Sequence, residues 1–214
     1  MKQGIIAAPG YPFLLVCGVF TFIAWLLGWR TLTLLGLAAL LFLAYFFRDP
    51  ERPVPQDPLA IVSPADGKVI IVDEVAESPS FHGPARRLAI FMNVFDVHVN
   101  RAPMTGRVVS ATHRPGRFLA AFRAEAQDLN EQQITVLEAE DGRRLQVVQI
   151  AGLLARRIIP FTTPAAWLQK GERLGMICFG SRVDLYLPMN CQILVRKGER
   201  VKAASSIVAQ WPAP

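Results

Sequence analysis

The sequence predicts a mainly β domain, an antiparallel sandwich or barrel-like fold with few helices, preceded by an N-terminal transmembrane helical hairpin. Three observations lead to this fold class. Residues 1–47 contain only two charged side chains, Lys2 and Arg30. Beyond them, short apolar runs rich in β-branched residues alternate with turn dipeptides. The 16 prolines in 214 residues favour many strand ends and turns over long helices.

The composition excludes several classes of protein. The chain is 52% hydrophobic and 19% charged, which is too apolar for a disordered protein. Its 3 cysteines are too few for a disulfide scaffold. The net charge of +6 is compatible with nucleic acid or with an anionic membrane surface. Because the N-terminal segment is so apolar, we expect a membrane partner and no nucleic acid.

Two uncharged runs, residues 11–29 and 31–47, predict the hairpin. One helix over both runs would be far too long for a bilayer, so we expect a turn near residues 28–31. Basic residues flank the hairpin at Lys2, Arg48 and Arg52. By the positive-inside rule, they predict a cell-membrane protein whose domain, residues 48–214, lies in the cytoplasm. A hairpin that does not fully span, or a signal peptide before a buried helix, are the alternatives.

The pattern after the hairpin predicts one β-rich domain without parallel βαβ units. Strands are expected at residues 68–75, 88–92, 96–101, 134–138, 145–150, 183–187 and 192–195. Turns are expected at Asp66-Gly67, Asp141-Gly142, Lys170-Gly171 and Lys197-Gly198. Two short helices are expected, around residues 118–126 and 153–157.

The histidines and cysteines give few candidates for chemistry. The three histidines, which are His82, His98 and His113, lack the spacing of a metal site, so we expect no metal. Cys178 and Cys191 lie in or beside apolar strands and are interpreted as buried thiols rather than nucleophiles. His98 alternates with Asp96 and Asn100, so a strand would place all three on one face. A histidine among acceptors is a candidate general base, and a satisfied structural histidine is an equally weighted alternative.

Two further segments carry weak signals when each is considered alone. Asp66 lies in the segment 63–67, where an Asp-Gly pair by itself simply makes a turn. Gly180-Ser181 lies between an apolar run and an alternating strand. A serine at a tight, strained junction can be a nucleophile.

Taken in order, several segments form a pattern. They are Phe-Phe-Arg-Asp-Pro-Glu-Arg at 46–52, Ser-Pro-Ala-Asp-Gly at 63–67, Phe-Met-Asn at 91–93, Asp-Val-His-Val-Asn-Arg-Ala-Pro at 96–103, Asn-Glu at 130–131 and Phe-Gly-Ser-Arg-Val-Asp at 179–184. This order resembles the short bacterial and archaeal members of the phosphatidylserine decarboxylase family, from about Phe46 to the C-terminus. The resemblance implies a zymogen of phospholipid biosynthesis, a lyase that converts phosphatidylserine in the membrane to phosphatidylethanolamine and CO2.

The resemblance also implies a covalent pyruvoyl cofactor made from Ser181. Family members cut themselves at the peptide bond that matches Gly180–Ser181, which would give fragments 1–180 and 181–214 that stay together as a heterodimer. The serine oxygen attacks the glycine carbonyl, and β-elimination and hydrolysis then leave the pyruvoyl group. Its carbonyl withdraws electrons as the substrate carboxylate leaves.

By the same resemblance, Ser181, His98 and Asp66 take the catalytic places, with Asp66 orienting the base. Longer family members carry a second histidine where this chain has Arg101. The division of His98 between cleavage and decarboxylation therefore stays open, and Arg101 is a candidate ligand for the substrate phosphate or carboxylate. Asp96 competes with Asp66 as the partner of His98.

A protein of a different class remains as an alternative, a non-catalytic, membrane-anchored β-sandwich adaptor or carrier module. The turns at Lys170-Gly171 and Lys197-Gly198 resemble those of biotinyl-type modules, but neither offers a convincing modifiable lysine. A metallopeptidase on a similar sandwich would need more clustered ligands than three scattered histidines provide.

Overall fold

The computed structural model describes residues 5–78, 83–123, 125–153, 157–178 and 180–213. The chain forms two compact units, Met1–Glu51 and Arg52–Pro214. The N-terminal unit is helical and the C-terminal unit is built mainly of strands. A mainly β fold with few helices was predicted, and it is confirmed.

The N-terminal unit holds a short 3-10 helix, Ala8–Gly10, followed by α1 (Tyr11–Leu26) and α2 (Arg30–Phe46). The chain turns between α1 and α2 at Gly28, whose φ of +71° suits glycine. Two helices with a turn at this point agree with the sequence pattern. The segment Ala8–Leu26 is long and apolar enough to cross a membrane, and α2 is a shorter apolar helix. Lys2 lies outside the described residues.

Small residues let α1 and α2 pack closely. A Cβ added at Gly36 would lie 3.0 Å from the Cβ of Thr21, so a larger residue would push the helices apart. The hydroxyl of Thr21 donates to the main-chain oxygen of Cys17 at 2.7 Å, which satisfies this polar group without a partner outside its own helix.

The C-terminal unit contains a short helix, α3 (Ala126–Leu129), and a series of short and long strands. The strands are β1 (Ala60–Val62), β2 (Gly67–Val75), β3 (Ala85–Met92), β4 (Val99–Arg101), β5 (Gly106–Arg114), β6 (Gln132–Glu138), β7 (Arg144–Ile150), β8 (Ile158–Pro160), β9 (Trp167–Leu168), β10 (Arg173–Ile177), β11 (Ser181–Pro188), β12 (Gln192–Ile193), β13 (Arg200–Val201) and β14 (Ile207–Gln210).

Strand pairing is antiparallel throughout the named strands. The large sheet has the order β13-β2-β3-β11-β7-β6-β5-β9, and two smaller sheets have the orders β1-β14-β12 and β4-β10-β8. The strands bury a main apolar core that includes Ile90, Leu137, Leu145 and Leu185, and a smaller cluster of Ala85, Val148, Ile150 and Tyr186. Burial of this kind of surface is the main favourable term in the folding of such a domain.

β11 is the central strand of the large sheet and positions the site. It pairs with β3 on one side, where Ser181 faces Met92, and with β7 on the other, where Arg182 faces Ile150. Because side chains alternate along a strand, Val183 and Leu185 enter the core while Arg182 and Asp184 lie on the opposite face. Both faces of β11 are buried.

The prediction of one of the two helices in this unit is wrong. A helix was expected around residues 118–126, but α3 begins only at Ala126. The side chain of Asn130 explains the difference, because it accepts a hydrogen bond from the main-chain nitrogen of Leu119 and donates one to its oxygen, at 2.8 Å each. Leu119 therefore bonds to Asn130 rather than within a helix. The other expected helix, at residues 153–157, includes residues 154–156, which lie outside the described part.

Candidate active site

His98 lies just before a strand rather than within one. The predicted strand at residues 96–101 is shortened to β4, which begins at Val99, so the prediction that Asp96, His98 and Asn100 share a strand face is wrong. A turn causes the difference. The carboxylate of Asp96 accepts a hydrogen bond from the main-chain nitrogen of Asn93 at 2.9 Å, which curls the chain ahead of His98.

The hydrogen bonds of His98 define its tautomer. Nδ1 lies 2.9 Å from the main-chain oxygen of Asp96, and since a carbonyl oxygen only accepts, Nδ1 carries the proton. In the neutral ring, Nε2 is then the acceptor, and the main-chain N–H of Gly180 donates to it at 3.4 Å. The imidazole is fully buried. It therefore presents its basic nitrogen to the residue before Ser181.

Gly180 forms a bend that leads into β11, which begins at Ser181. Gly180 has a φ of +65°, in the left-handed region that favours glycine. Ser181 is fully buried, and its hydroxyl donates to the sulfur of Met92 at 3.5 Å. The structure thus brings His98 to the main chain at Gly180, while the serine hydroxyl is directed at Met92. Phe179, which precedes this pair in the motif, lies outside the described residues.

Asp66 is buried, and both of its carboxylate oxygens have partners. Oδ2 accepts from Nη2 of Arg52 at 2.7 Å, and Oδ1 accepts from the main-chain nitrogen of Ala203 at 2.8 Å. The turn that holds Asp66 lies beside β4, since the main-chain nitrogen of Arg101 donates to the oxygen of Pro64 at 2.9 Å. Asp66 therefore lies near the strand that follows His98 and binds Arg52 and Ala203 through its carboxylate.

Asp96 contacts His98 through its main chain. Its carboxylate is engaged elsewhere, with Asn93 and with Nη1 of Arg200 at 3.0 Å. The carboxylates of Asp66 and Asp96 were the two candidate partners of His98. Instead, Nδ1 donates its hydrogen bond to the main-chain oxygen of Asp96. No sequence pattern would have indicated it, since any residue supplies a carbonyl.

The remaining candidates are buried. The guanidinium of Arg101 donates to the main-chain oxygen of Gly171 at 3.2 Å. Burial raises the pKa of the Cys178 thiol, and it raises the pKa of Cys191 from 9.0 to about 12. Both thiols are thus protonated at neutral pH and poor nucleophiles, as the sequence indicated.

Sequence reasoning missed a buried amide pair beside Ser181. Nε2 of Gln149 donates to Oδ1 of Asn100 at 2.8 Å, and Nδ2 of Asn100 donates to the Met92 sulfur that also accepts from Ser181. Oε1 of Gln149 is buried without a hydrogen-bond partner within the described part of the chain. The only available signal was a polar residue within the apolar run of β7.

A buried serine and a buried histidine beside the half-buried Gly180 form the kind of site that an enzyme uses. A family model described as phosphatidylserine decarboxylase matches residues 39–209. Curated proteins named phosphatidylserine decarboxylase proenzyme are similar over nearly the whole chain. They include those of Desulfotalea psychrophila (42% identical, 96% of each chain), Geotalea uraniireducens (44%, 99% of each) and Syntrophotalea carbinolica (46%, 95% of each).

The chain therefore belongs to the phosphatidylserine decarboxylase family. The match covers both the helical N-terminal segment from residue 39 and most of the β unit. The family resemblance of the motif segments is confirmed.

Proposed function

We propose that this chain is a membrane-associated proenzyme that cuts itself between Gly180 and Ser181 and then decarboxylates phosphatidylserine to phosphatidylethanolamine. The observation that carries this proposal is the contact of His98 Nε2 with the main-chain nitrogen of Gly180, at 3.4 Å. It places the one residue type suited to proton transfer near neutral pH beside Gly180, at the peptide that precedes the bond to be cut.

The first step is an acyl shift from nitrogen to oxygen. Rotation about the Cα–Cβ bond of Ser181 turns its hydroxyl from Met92 to the carbonyl carbon of Gly180. The new oxygen–carbon bond forms as the hydroxyl proton passes to His98, and the amide nitrogen takes a proton when its bond to carbon breaks. A glycine at this position supports this step, because it adopts the positive φ readily and has no Cβ to shield its carbonyl carbon.

The second step is a β-elimination. Loss of the α proton of Ser181 breaks the ester bond at Cβ, which frees Gly180 as a carboxylate and leaves dehydroalanine. Hydration then releases ammonia and leaves a pyruvoyl group at the start of fragment 181–214. The group retains the three carbons of Ser181, so the buried space around Ser181 and Met92 fits it. Bound there, it supplies the electron sink for decarboxylation.

His98 is the proton carrier of this proposal. The hydrogen bond to the Asp96 main-chain oxygen keeps Nδ1 protonated, so Nε2 remains basic in the neutral ring. Asp66 stays in the proposed triad on the strength of the family resemblance. Arg101 stays the proposed ligand of the substrate phosphate or carboxylate, and its position two residues after β4 begins supports a place near His98.

Two carboxylates support a stable pair of fragments after the cut. Asp66 binds the main chain of Ala203 and Asp96 binds Arg200, so each joins fragment 1–180 to fragment 181–214. β11 adds main-chain pairing with β3 and β7. The two fragments thus form a heterodimer without a covalent link.

Membrane association completes the proposal. The apolar segment Ala8–Leu26 and the exposed apolar side chains along both helices support a membrane anchor. The basic residues Arg48 and Arg52 support a cytoplasmic position for the β unit by the positive-inside rule. A non-catalytic adaptor would use neither the glycine at positive φ nor the buried histidine beside it.

Mass spectrometry of the purified full chain tests the proposal. We expect two fragments, 1–180 and 181–214, with the second blocked to Edman degradation and release of CO2 from phosphatidylserine vesicles. Ser181→Ala should give one intact, folded, inactive chain, whereas Ser110→Ala, in strand β5, should process normally. A fully active chain that is uncut at Ser181 would contradict self-cleavage. A cut chain that releases no CO2 from this lipid would contradict the substrate.

A further inference from the structure

Gly152 lies directly opposite the proposed cleavage site. β11 and β7 are antiparallel, and Arg182 faces Ile150 at the end of their ladder. One residue backwards along β11 corresponds to one residue forwards along β7. Two such steps place Gly180 across from Gly152, just beyond the last paired residues.

The carbonyl oxygen of Gly180 occupies the space where a side chain of residue 152 would be. A Cβ added to Gly152 would overlap this oxygen and would lie 3.1 Å from the carbonyl carbon of Gly180. It would also lie 3.3 Å from the Cβ of Ala121, so it has no free direction in which to shift. Residue 152 therefore has to be glycine for the carbonyl to take this position.

Hydrogen bonds hold the main chain beside Gly152 in place. Nδ2 of Asn130, a buried side chain, donates to the oxygen of Ala151 at 2.7 Å. The nitrogen of Ala151 donates to the oxygen of Glu131 at 3.0 Å. Because Ala151 is held on both sides, Gly152 cannot easily move away from Gly180.

Both polar main-chain groups of Gly180 are thus constrained by neighbours. Its N–H donates to His98, and its C=O packs against Gly152. The first contact orients the peptide that precedes Gly180, and the second restricts rotation of the peptide that contains the bond to Ser181. A reacting carbonyl that is held in one orientation loses less entropy on the way to the transition state.

We propose that Gly152 is a positioning residue for self-cleavage, one that fixes the carbonyl of Gly180 for attack by Ser181. The inference rests on the proposed self-cleavage and adds a requirement to it. As the oxygen of Ser181 bonds to the carbonyl carbon, the carbonyl electron pair moves onto the oxygen that packs against Gly152. Collapse then breaks the bond to the nitrogen of Ser181, which takes the proton from His98.

The test measures the rate of self-cleavage in the full-length chain. Gly152→Ala should cut at least tenfold more slowly than the unaltered chain. Gly18→Ala is the matched control, because an added Cβ there meets no atom within 4 Å, and it should cut at the normal rate. Hydroxylamine, which cleaves esters, should release fragments from Gly152→Ala more slowly than from the unaltered chain, because the ester forms more slowly.

A second variant covers the case in which Gly152→Ala fails to fold. Asn130→Asp retains the acceptor for the Leu119 nitrogen but loses the donor to the oxygens of Ala151 and Leu119. It therefore loosens the main chain beside Gly152 without crowding the carbonyl. It should also slow cleavage. Normal cutting in either folded variant would overturn the role of Gly152 and leave self-cleavage intact. An active but uncut unaltered chain would instead overturn the proposed function.

Discussion

Arg182 and Asp184 form a two-point ion pair on the face of β11 opposite the core. Nε and Nη2 of the guanidinium each donate to one carboxylate oxygen at 2.6 Å, and both side chains are fully buried. The pair begins one residue after Ser181. Burial also raises the pKa of Asp184, against the opposing effect of Arg182. The ion pair is thus costly to separate and lies next to the proposed cut.

Removal of one partner should destabilise the domain strongly. Asp184→Asn leaves the charge of Arg182 buried without a counter-charge, which typically costs about 3–5 kcal/mol. We expect a clear drop in the melting temperature, measured in the Ser181→Ala background so that one chain unfolds. Asp141→Asn, at an exposed turn pair with Arg143, is the control and should change little. A stable Asp184→Asn chain would show that Arg182 finds another partner.

His98→Ala should block self-cleavage, decarboxylation or both. Its Nε2 is the basic nitrogen that contacts Gly180, and alanine leaves no group to carry the proton. Gel analysis measures cleavage, and release of labelled CO2 measures decarboxylation. His113→Ala, on an exposed part of β5, is the matched control and should behave normally. Full processing and activity in His98→Ala would remove this residue from the site.

Asp66→Ala should slow self-cleavage more than Asp96→Ala does. Asp66 is the family candidate for the triad, and its loss also frees Arg52 and the Ala203 nitrogen. Asp96 orients His98 through its main-chain oxygen, which alanine retains. Time courses of cleavage after synthesis compare the two variants. A larger effect of Asp96→Ala would transfer the role of the carboxylate to that residue.

The stability of the domain should fall at alkaline pH because of Cys191. Its thiol has a pKa of about 12 in the folded chain against an ordinary value of 9.0. A raised pKa of an acid means that the unfolded chain loses the proton first, so stability falls as the pH rises from about 9 towards 12. Across this pH range, the melting temperature of Cys191→Ala should fall less with rising pH than that of the unaltered chain. An identical pH dependence would exclude the thiol as a cause.

Deletion of residues 1–47 should release much of the protein from membranes. The exposed apolar side chains of α1 and α2 would be gone, while the β unit keeps its own core. Fractionation of cell membranes measures the effect. In inverted vesicles, a cytoplasmic protease should reach the β unit of the full chain. Protection of that unit from the protease would contradict the proposed topology.

Long, regular strands were predictable from the sequence, while contacts made by the folded chain were not. β2, β3, β6, β7 and β11 have the apolar runs or the alternation that predict strands. β5 was missed because its second half is mostly exposed and its pairing with β6 shifts between Val108 and Ser110. Strands as short as β9 and β13 exist because neighbours pair with them.

In the candidate site, too, some residues were predictable from the sequence and the contacts of the folded chain were not. His98, Asp66 and the Gly180-Ser181 pair could be named from motifs and resemblance. Two other contacts could not be predicted from side chains. The main-chain oxygen of Asp96 orients His98, and Gly152 packs against the carbonyl of Gly180. They arise from the turn at Asp96 and from the register of β7 against β11, which depend on long-range pairing.

Because β11 lies in the centre of the large sheet, a chain cut at Ser181 would refold with difficulty once it has unfolded. β11 pairs with β3 on one side and with β7 on the other. Before a cut at Ser181 all three strands belong to one chain, and after it β11 belongs to a separate fragment. Refolding of the cut protein would then be a bimolecular reaction whose yield depends on concentration, whereas the uncut precursor refolds at any dilution. Survival of the mature protein is thus governed by its rate of unfolding rather than by an equilibrium.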